Sequence, residues 1–473
     1  MAIQRRYDFK SFFRRFVLIA VDTLIIFCSL FVYLEFFHPT GFQQYYSLTD
    51  NILWALVIIA LWYFYASVFD LYKLSLVDKR GEIIKNTIIT ATLTGITYLF
   101  IPFLSPTLPL NRLPAFLLIA TMVIALLLWR MIYAVLFKHP ILARRAVVAG
   151  AGWTGRELVQ TLLKNEQIYH KAAYKIYGYF DDDREKHQKE YDGLKVLGTG
   201  KELFKYASRL KVDEVILAIP EHENLNAQMY SSIVDCENSG IPVRFAFDIF
   251  EEQTGKVMVK KKEDSFFLAN PYSIVRKKSF YRIMNRMLNF VWGVLACVPF
   301  VILIPILFIV NLLTSRGPLF YKQERVGGNG HIFNILKFRT MVVDAEKKDG
   351  PQFASKDDTR ITMAGKFLRK TRLDELPQFI NILKGDMNLI GPRPEREVFI
   401  KELSQNIPFF RIRNVVKPGL TGWAQVNHIY TSDTEDALVK LQYDLYYIRH
   451  RSFFLDLKIM INTLPVIFKL KGV

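Results

Sequence analysis

Apolar residues gather in the first part of the chain into runs of membrane length. Residues 16–34 are interrupted only by Asp22, residues 52–69 carry no charge, a third run extends over 86–104, and a fourth covers 113–137 with Arg130 near its end. Each approaches the roughly 20 residues needed to cross hydrocarbon, so the pattern predicts four N-terminal transmembrane helices within residues 1–140. Arg5, Arg6, Lys10, Arg14 and Arg15 precede the first run and no small-residue cleavage site follows it, which predicts a retained helix instead of a signal peptide. Residues 38–50 hold no Lys or Arg and 105–112 hold only Arg112, whereas 73–85 hold Lys73, Lys79, Arg80 and Lys85. The positive-inside bias therefore puts the N-terminus and the stretch 73–85 in the cytoplasm, with Arg130 close enough to the cytoplasmic face to reach the headgroups.

After Arg144 and Arg145 the pattern shortens to a β run followed by Gly150, Gly152 and Gly155 and then a helical stretch. Further short apolar runs at 174–180, 213–219 and 242–247 alternate with helical segments, which predicts a parallel sheet and a Rossmann-like cytoplasmic domain over 143–270. About 20 residues past the first glycine, where a ribose-binding acid is expected, stand His170 and Lys171. Asp181 comes late, and Trp153 adds bulk beside the loop, so a scaffold with a glycine turn is the reading ahead of a bound nucleotide or sugar nucleotide. Residues 287–313 are again uncharged, but they contain Pro299 and Pro305, with Arg276, Lys277, Lys278, Arg282 and Arg286 on one side and Arg316, Lys322 and Arg325 on the other. Both flanks call for the cytoplasmic side, which a helix broken at a proline and returning to its own face satisfies. Leu319–Gln323 and Ile332–Phe338 read as strands joined by a hairpin turn at 327–330. The mixed apolar and basic stretch from Ser452 either lies in the membrane interface or packs on the domain.

Composition adds a second constraint. The 473 residues suffice for two or three domains, and 51% hydrophobic content stands beside a formal charge of +18. That pairing suits anionic lipid and phosphorylated substrates; nucleic acid is set aside because the basic residues flank apolar runs instead of clustering on one soluble face. Cys28, Cys236 and Cys297 lie far apart and imply neither a disulfide framework nor a metal site.

The candidate chemistry lies in residues 372–394. Leu373, Leu376, Ile380 and Leu383 recur at helical spacing and Pro377 fits a first turn, so Asp374 and Glu375 are expected to open a helix whose amides and dipole suit carboxylates and phosphate. A capping role alone for Asp374 stays open on this local pattern. Around it occur, in order, Lys337-Phe338-Arg339-Thr340-Met341, Leu373-Asp374-Glu375-Leu376-Pro377-Gln378, Lys384-Gly385-Asp386-Met387, Gly391-Pro392-Arg393-Pro394 and the stretch from Pro418 to Asn427.

With these motifs the chain resembles, over roughly residues 276–473, the bacterial sugar transferases that initiate glycan assembly, the polyprenyl-phosphate glycosyl-phosphate transferases. The resemblance implies a membrane protein of mixed α and α/β class, with four N-terminal helices, the Rossmann-like domain, and a catalytic domain over 276–473 carrying a re-entrant helix at about 287–313. It implies transfer of a sugar phosphate from a UDP-sugar to undecaprenyl phosphate at the cytoplasmic face of the bacterial inner membrane, as the first membrane step of exopolysaccharide, capsule or O-antigen synthesis. Asp374 is then the nucleophile that forms a covalent aspartyl intermediate, and Glu375 helps bind Mg2+. Arg339, Arg372 and Arg393 are expected to neutralise phosphate oxygens, since guanidinium pairs bidentately with phosphate. Lys337 and Asp444 are further candidates, Asp444 being equally readable as a helix-surface charge. The partners implied are the UDP-sugar, the polyprenyl lipid and the bilayer, with no nucleic acid and with self-association left open. The rival readings are a membrane-tethered NAD-dependent sugar-nucleotide oxidoreductase or epimerase, and a nucleotide-sugar sensor.

Overall fold

In the computed structural model the residues described are 2–37, 48–73, 80–101, 105, 113–136, 143–169, 174–219, 225–259, 279–314, 317–343, 345, 358–407, 409–428 and 434–468. The orientation-setting stretches 38–47, 74–79 and 106–112, and the basic residues Arg276, Lys277, Lys278 and Arg316, lie outside them. The chain divides into two compact units, Met1–Thr254 and Gly255–Val473.

The first unit opens with helices α1 (Ala2–Val32), α2 (Leu48–Val68), α3 (Arg80–Leu99) and α4 (Leu113–Leu136). Within them, Phe13–Glu35, which runs past α1 into a π-helical turn at Tyr33–Phe37, and Leu113–Leu136 are long and apolar enough to cross a membrane, and Ile52–Val68 is a shorter apolar helix. Over its described residues α3 is less apolar, since Glu82, Lys85 and Asn86 open it and threonines follow; Thr87, Thr90 and Thr94 are buried while Ile84, Ile88 and Ile96 face outward, and residues 102–104 of the third expected run lie outside the described residues. Arg130 departs from the headgroup position expected of it. It is 3% exposed, and its Nη2 donates to Asp22 Oδ2 at 2.6 Å, with Tyr72 donating to the same oxygen at 2.8 Å. A guanidinium among apolar helices is less costly beside a carboxylate than alone, and Asp22 is the charge that interrupts the first run.

The α/β part has strands β1 (Arg144–Ala149), β2 (Tyr174–Phe180), β3 (Glu190–Tyr191), β4 (Leu194–Gly198), β5 (Glu214–Leu217) and β6 (Val243–Phe245) in the order β3-β4-β2-β1-β5-β6. All pairs are parallel except the β3–β4 hairpin. The central strands are buried over Ala146–Ala149 in β1 and Glu214–Leu217 in β5, with helices α5 (Trp153–Tyr169), α6 (Gly200–Arg209), α7 (Ala227–Asn238) and α8 (Ala246–Thr254) between and after the strands. This unit ends at Thr254, ahead of the boundary near 270 that the sequence suggests, and Val257 and Val259 belong to the core of the second unit.

The second unit is laid along α9 (Ser279–Thr314), one helix of 36 residues. Pro299 and Pro305 both lie inside it, so neither breaks the element as expected; each removes one intrahelical bond, but a φ near −65° is already helical. Polar anchors hold its first half: Tyr281 donates to Asp456 Oδ2 at 2.7 Å, and Asn289 bonds Asn388 at 2.9 Å and the Leu389 N–H at 2.8 Å. Phe300 packs at a tilt against the Phe320 and Phe338 rings of a hairpin formed by β7 (Phe320–Val326) and β8 (Ile332–Phe338), and Asn311 bonds the Gly317 carbonyl at 2.7 Å. Contacts therefore fasten the helix to one body near both of its ends, while Met287, Leu295, Val298, Ile302 and Ile309 stay exposed. The remaining elements are α10 (Met363–Thr371), α11 (Gln378–Lys384), β9 (Asn388–Ile390), α12 (Glu397–Asn406), β10 (Gly419–Thr421), α13 (Trp423–Asn427), α14 (Thr434–His450) and α15 (Phe453–Phe468), with β9 and β10 a parallel pair.

Candidate active site

Asp374 and Glu375 lie in a 3-10 turn, Leu373–Glu375, and not in the first turn of a continuous α-helix. The cause is Pro377: without an N–H it cannot bond Leu373, and the turn closes instead through i to i+3 bonds, Glu375 N to Arg372 O and Leu376 N to Leu373 O, each 3.2 Å. Arg372, which joins α10 to this turn, sits in the left-handed region at φ 57°, ψ 17°, a conformation costing a non-glycine residue about 1 kcal/mol or more. Leu373, Leu376 and Ile380 point into the cluster around Phe300, Phe338 and Leu368, so the carboxylates stand on a turn whose other face is buried against α9. Asn381 fixes the turn to the hairpin: its Nδ2 donates to Asn334 O at 2.8 Å and its Oδ1 accepts from Leu336 N at 3.0 Å. That brings Lys337, the next residue of β8, to the carboxylates.

The two neighbours differ sharply. Glu375 Oε1 accepts from Arg393 Nη2 at 2.9 Å and Lys337 Nζ at 3.3 Å, and Oε2 faces Arg372 Nη1 at 3.8 Å. Burial alone would raise its pKa, yet Arg393, Lys337 and Arg372 together hold it well below the usual carboxylate range. Asp374 is as buried, at 8% exposed, but no hydrogen bond or ion pair holds its carboxylate among the described residues. Burial and the charge of Glu375 push its pKa up to about 6, against Lys337, Arg369 and Arg393. Burial likewise lowers the pKa of Lys337, resisted chiefly by Glu375.

Of the residues expected at the site, Lys337, Arg372, Arg393, Asp374 and Glu375 come together. Arg339 serves elsewhere: its guanidinium donates to Pro318 O at 2.7 Å, Met341 O at 3.3 Å and Asn311 Oδ1 at 2.5 Å, bracing the hairpin against the end of α9. Asp444 is neither a surface charge nor a neighbour of the pair; it is 1% exposed and bound to Arg413. Arg369 is the member that sequence reasoning missed. Its Nε donates to Thr340 Oγ1 at 2.9 Å and its charge acts on Asp374. Its position five residues before Asp374 gives no helical register with the pair, because the left-handed turn at Arg372 intervenes.

Among the described residues no group of three or more His, Cys, Asp or Glu could hold a metal ion. Asp374 and Glu375 form a two-carboxylate set, which suits Mg2+ when phosphate and water complete the shell, although Glu375 is engaged by cations. In the first unit, Asp181 directly follows β2, and its carboxylate accepts from the Ala151 N–H of the glycine loop at 2.8 Å and from Lys186 at 3.2 Å. Gly155 is required there by packing, since a Cβ would lie 2.2 Å from the Gly150 carbonyl oxygen.

Comparison with known proteins bears on both units. Residues 280–470 match the family described as bacterial sugar transferase, and residues 67–246 match one described as CoA-binding domain, a match that begins upstream of the sheet and takes in α3 and α4. The chain is 36% identical over 254 residues to the UDP-N-acetylgalactosamine-undecaprenyl-phosphate N-acetylgalactosaminephosphotransferase of Aeromonas hydrophila, covering 54% of this chain and 59% of the relative. It is 31% identical over 339 residues to the UDP-glucose:undecaprenyl-phosphate glucose-1-phosphate transferase of Xanthomonas campestris pv. campestris, covering 69% and 64%. To the protein of that same description in Klebsiella pneumoniae it is 32% identical over 331 residues, covering 68% and 67%. The chain thus spans less than two thirds of the length of the first two relatives.

Proposed function

The chain belongs to the bacterial sugar transferase family, and from that premise we propose that it transfers a sugar phosphate from a UDP-sugar to undecaprenyl phosphate, giving undecaprenyl-diphospho-sugar and UMP as the first membrane step of exopolysaccharide, capsule or O-antigen synthesis. The observation that carries the proposal is the unequal pair: Glu375 neutralised by cations, with Asp374 open beside it. An open carboxylate within a field of guanidinium and ammonium groups is suited to attack a phosphorus whose own oxygens are anionic. In the first step an Asp374 oxygen bonds to the phosphorus that bears the sugar, and the bond from that phosphorus to the bridging oxygen breaks, leaving with UMP. In the second, an oxygen of undecaprenyl phosphate bonds to the same phosphorus and the aspartyl oxygen departs, restoring the carboxylate. With a pKa near 6, Asp374 is ionised at neutral pH without proton transfer. Arg369, Arg393, Arg372 and Lys337 stand where they can neutralise phosphoryl oxygens, and Glu375 keeps Arg393 and Lys337 in place. Mg2+ is part of the proposal: Glu375, with Asp374 beside it, would help hold the ion, which would supply Lewis-acid screening of the two anions.

The topology proposed is four N-terminal spans with the catalytic unit on the cytoplasmic side, where nucleotide sugars are made. The outward Ile and buried Thr residues of α3 suit a helix with lipid on one side and packed helices on the other. For α9, fastening to one body near both ends favours entry and return by the same face over crossing, with the helix kinked at Pro299 or Pro305 without ending there. Phe280→Cys and Asn329→Cys should then be labelled from the cytoplasmic side only, and labelling of position 329 by an impermeant reagent in intact cells would refute it. The oxidoreductase and sensor readings are not favoured, since neither uses the Asp374 turn and a carboxylate already takes an amide of the glycine loop. The test of function is incubation of the purified chain with a panel of UDP-sugars and undecaprenyl phosphate. UMP release that requires the lipid is expected, and its absence across the panel would overturn the proposal.

A further inference from the structure

Arg393 is held at both of its ends. Its guanidinium reaches Glu375 at 2.9 Å, while its carbonyl oxygen accepts a hydrogen bond from Arg413 Nη2 at 3.0 Å. Arg413 is 1% exposed, and its Nε and Nη2 both donate to Asp444 Oδ2, at 2.9 and 2.7 Å, from the middle of α14. The flanking residues are fixed the same way: Arg325 donates to Pro394 O at 3.1 Å, Val326 N to Glu395 O at 2.9 Å, Gly419 N to Pro392 O at 2.9 Å, and Lys440 pairs with Glu395. A buried guanidinium and carboxylate gain little stability over a well-packed apolar pair, because desolvation offsets their attraction, so stability alone does not account for Arg413 and Asp444. What the pair supplies that apolar residues could not is a donor aimed at the Arg393 carbonyl. Pro392 and Pro394 fix their own φ angles and restrict the residue preceding each, so backbone held at this carbonyl transmits its position to the side chain that grips Glu375.

We propose that Asp444 and Arg413 are positioning residues that act through Arg393, Asp444 orienting the Arg413 fork and Arg413 fixing the Arg393 carbonyl so that the guanidinium stays on Glu375. The inference rests on the transferase reading above. A double-mutant cycle on the full-length chain tests it, with kcat/KM for lipid-dependent UMP release measured for the unaltered chain, Asp444→Asn, Arg393→Ala and the double variant. Asp444→Asn is expected to lower kcat/KM on the order of tenfold when Arg393 is present and less than twofold when it is Ala. Equal losses in both backgrounds would show an effect on the fold alone and overturn the inference, as would no loss at all. Should Asp444→Asn fail to fold, Arg413→Lys takes its place in the same cycle, since one ammonium on a shorter stem cannot serve both Asp444 and the carbonyl. No UMP release by the unaltered chain sinks the transferase reading and this inference with it; release with additive losses sinks this inference alone.

Discussion

Among the membrane-type helices Asp22 meets one guanidinium, Arg130, at 2.6 Å, and both are removed from solvent. At the 3-10 turn Glu375 meets Arg393, Lys337 and Arg372, while its neighbour Asp374 has no bonded partner among the described residues. The first arrangement is a one-to-one neutral pair that fastens α1 to α4. In the second, cations outnumber the carboxylates they face and one carboxylate is left open, which is unfavourable in the free protein and favourable once an anion arrives. Burial with balanced charge joins two helices at Asp22 and Arg130, whereas burial with unbalanced charge at the turn marks a place for an anion.

The largest effect expected of this contrast is on Asp374. Asp374→Asn keeps the shape of the side chain but removes the carboxylate proposed as nucleophile, so lipid-dependent UMP release should fall on the order of a thousandfold or more. Stability should move the other way. The folded-state pKa of about 6 lies above the ordinary aspartate value, so the folded chain binds this proton more readily than the unfolded one. Ionising Asp374 thus costs stability as pH rises through that window, and the cost is fully present at pH 7, at about 1–3 kcal/mol. The inactive variant should melt no lower than the unaltered chain, and higher if the cost is fully recovered; a clear fall in melting temperature would mean that Asp374 is a structural group like Asp22.

The opposite outcome is expected for Arg130→Ala. Breaking a buried pair by removing one partner strands the other charge, at about 3–5 kcal/mol. The folded yield of the first unit should drop steeply, whereas Asp22→Leu with Arg130→Met should restore most of it. UMP release per folded molecule should stay within a few-fold in both, and a specific loss of turnover in the double variant would give the neutral pair a catalytic role.

How far these features were legible in the sequence follows from what each depends on. Periodicity gave β2 at 174–180, the β7–β8 hairpin and the apolar helices, since burial pattern and turn residues are local. The carboxylate pair, and Arg393 as a residue beside it, came from motif order. Arg130 was misread because its partner lies 108 positions away in the chain. Arg339 and Asp444 were misread for the same reason: whether a charge faces substrate, a backbone carbonyl or another charge is decided by long-range packing. The prolines of α9 read as breaks by a local rule, yet both lie inside one helix, because a φ near −65° continues a helix at the loss of one hydrogen bond. Arg369 escaped notice because the left-handed residue at 372 resets the helical register between it and Asp374.

Glu375→Gln sharpens the comparison at intermediate size. It removes the anion that holds Arg393 and Lys337, so the rate should fall about 10- to 100-fold, a loss of about 1.4 to 2.7 kcal/mol in transition-state stabilisation. It also removes the like charge that helps raise Asp374, leaving Lys337, Arg369 and Arg393 acting on it alone. The acid limb of the pH–rate profile, expected near pH 6 in the unaltered chain, should therefore move to lower pH. A limb that stays near 6 in the Gln variant would show that burial by itself sets the value and that the two carboxylates are not electrostatically joined.

The smallest effect expected is at Arg372, where two contributions oppose. Its left-handed backbone, at φ 57°, is a conformation that glycine adopts without strain, so Arg372→Gly should recover about 1 kcal/mol locally. The unfolded chain gains freedom with glycine, which returns part of that. The lost contact, 3.8 Å from Nη1 to Glu375 Oε2 with the Arg372 side chain one-third exposed, is the weakest of the three cations on that carboxylate, and solvent screens it. Melting should thus change by no more than a few degrees, and kcat/KM by less than about fivefold, with KM for the UDP-sugar carrying most of the change if Arg372 touches phosphate only in the ground state. A loss as large as that of Glu375→Gln would put Arg372 among the groups that stabilise the transition state, and the cation excess at the turn would then be divided evenly instead of resting on Arg393 and Lys337.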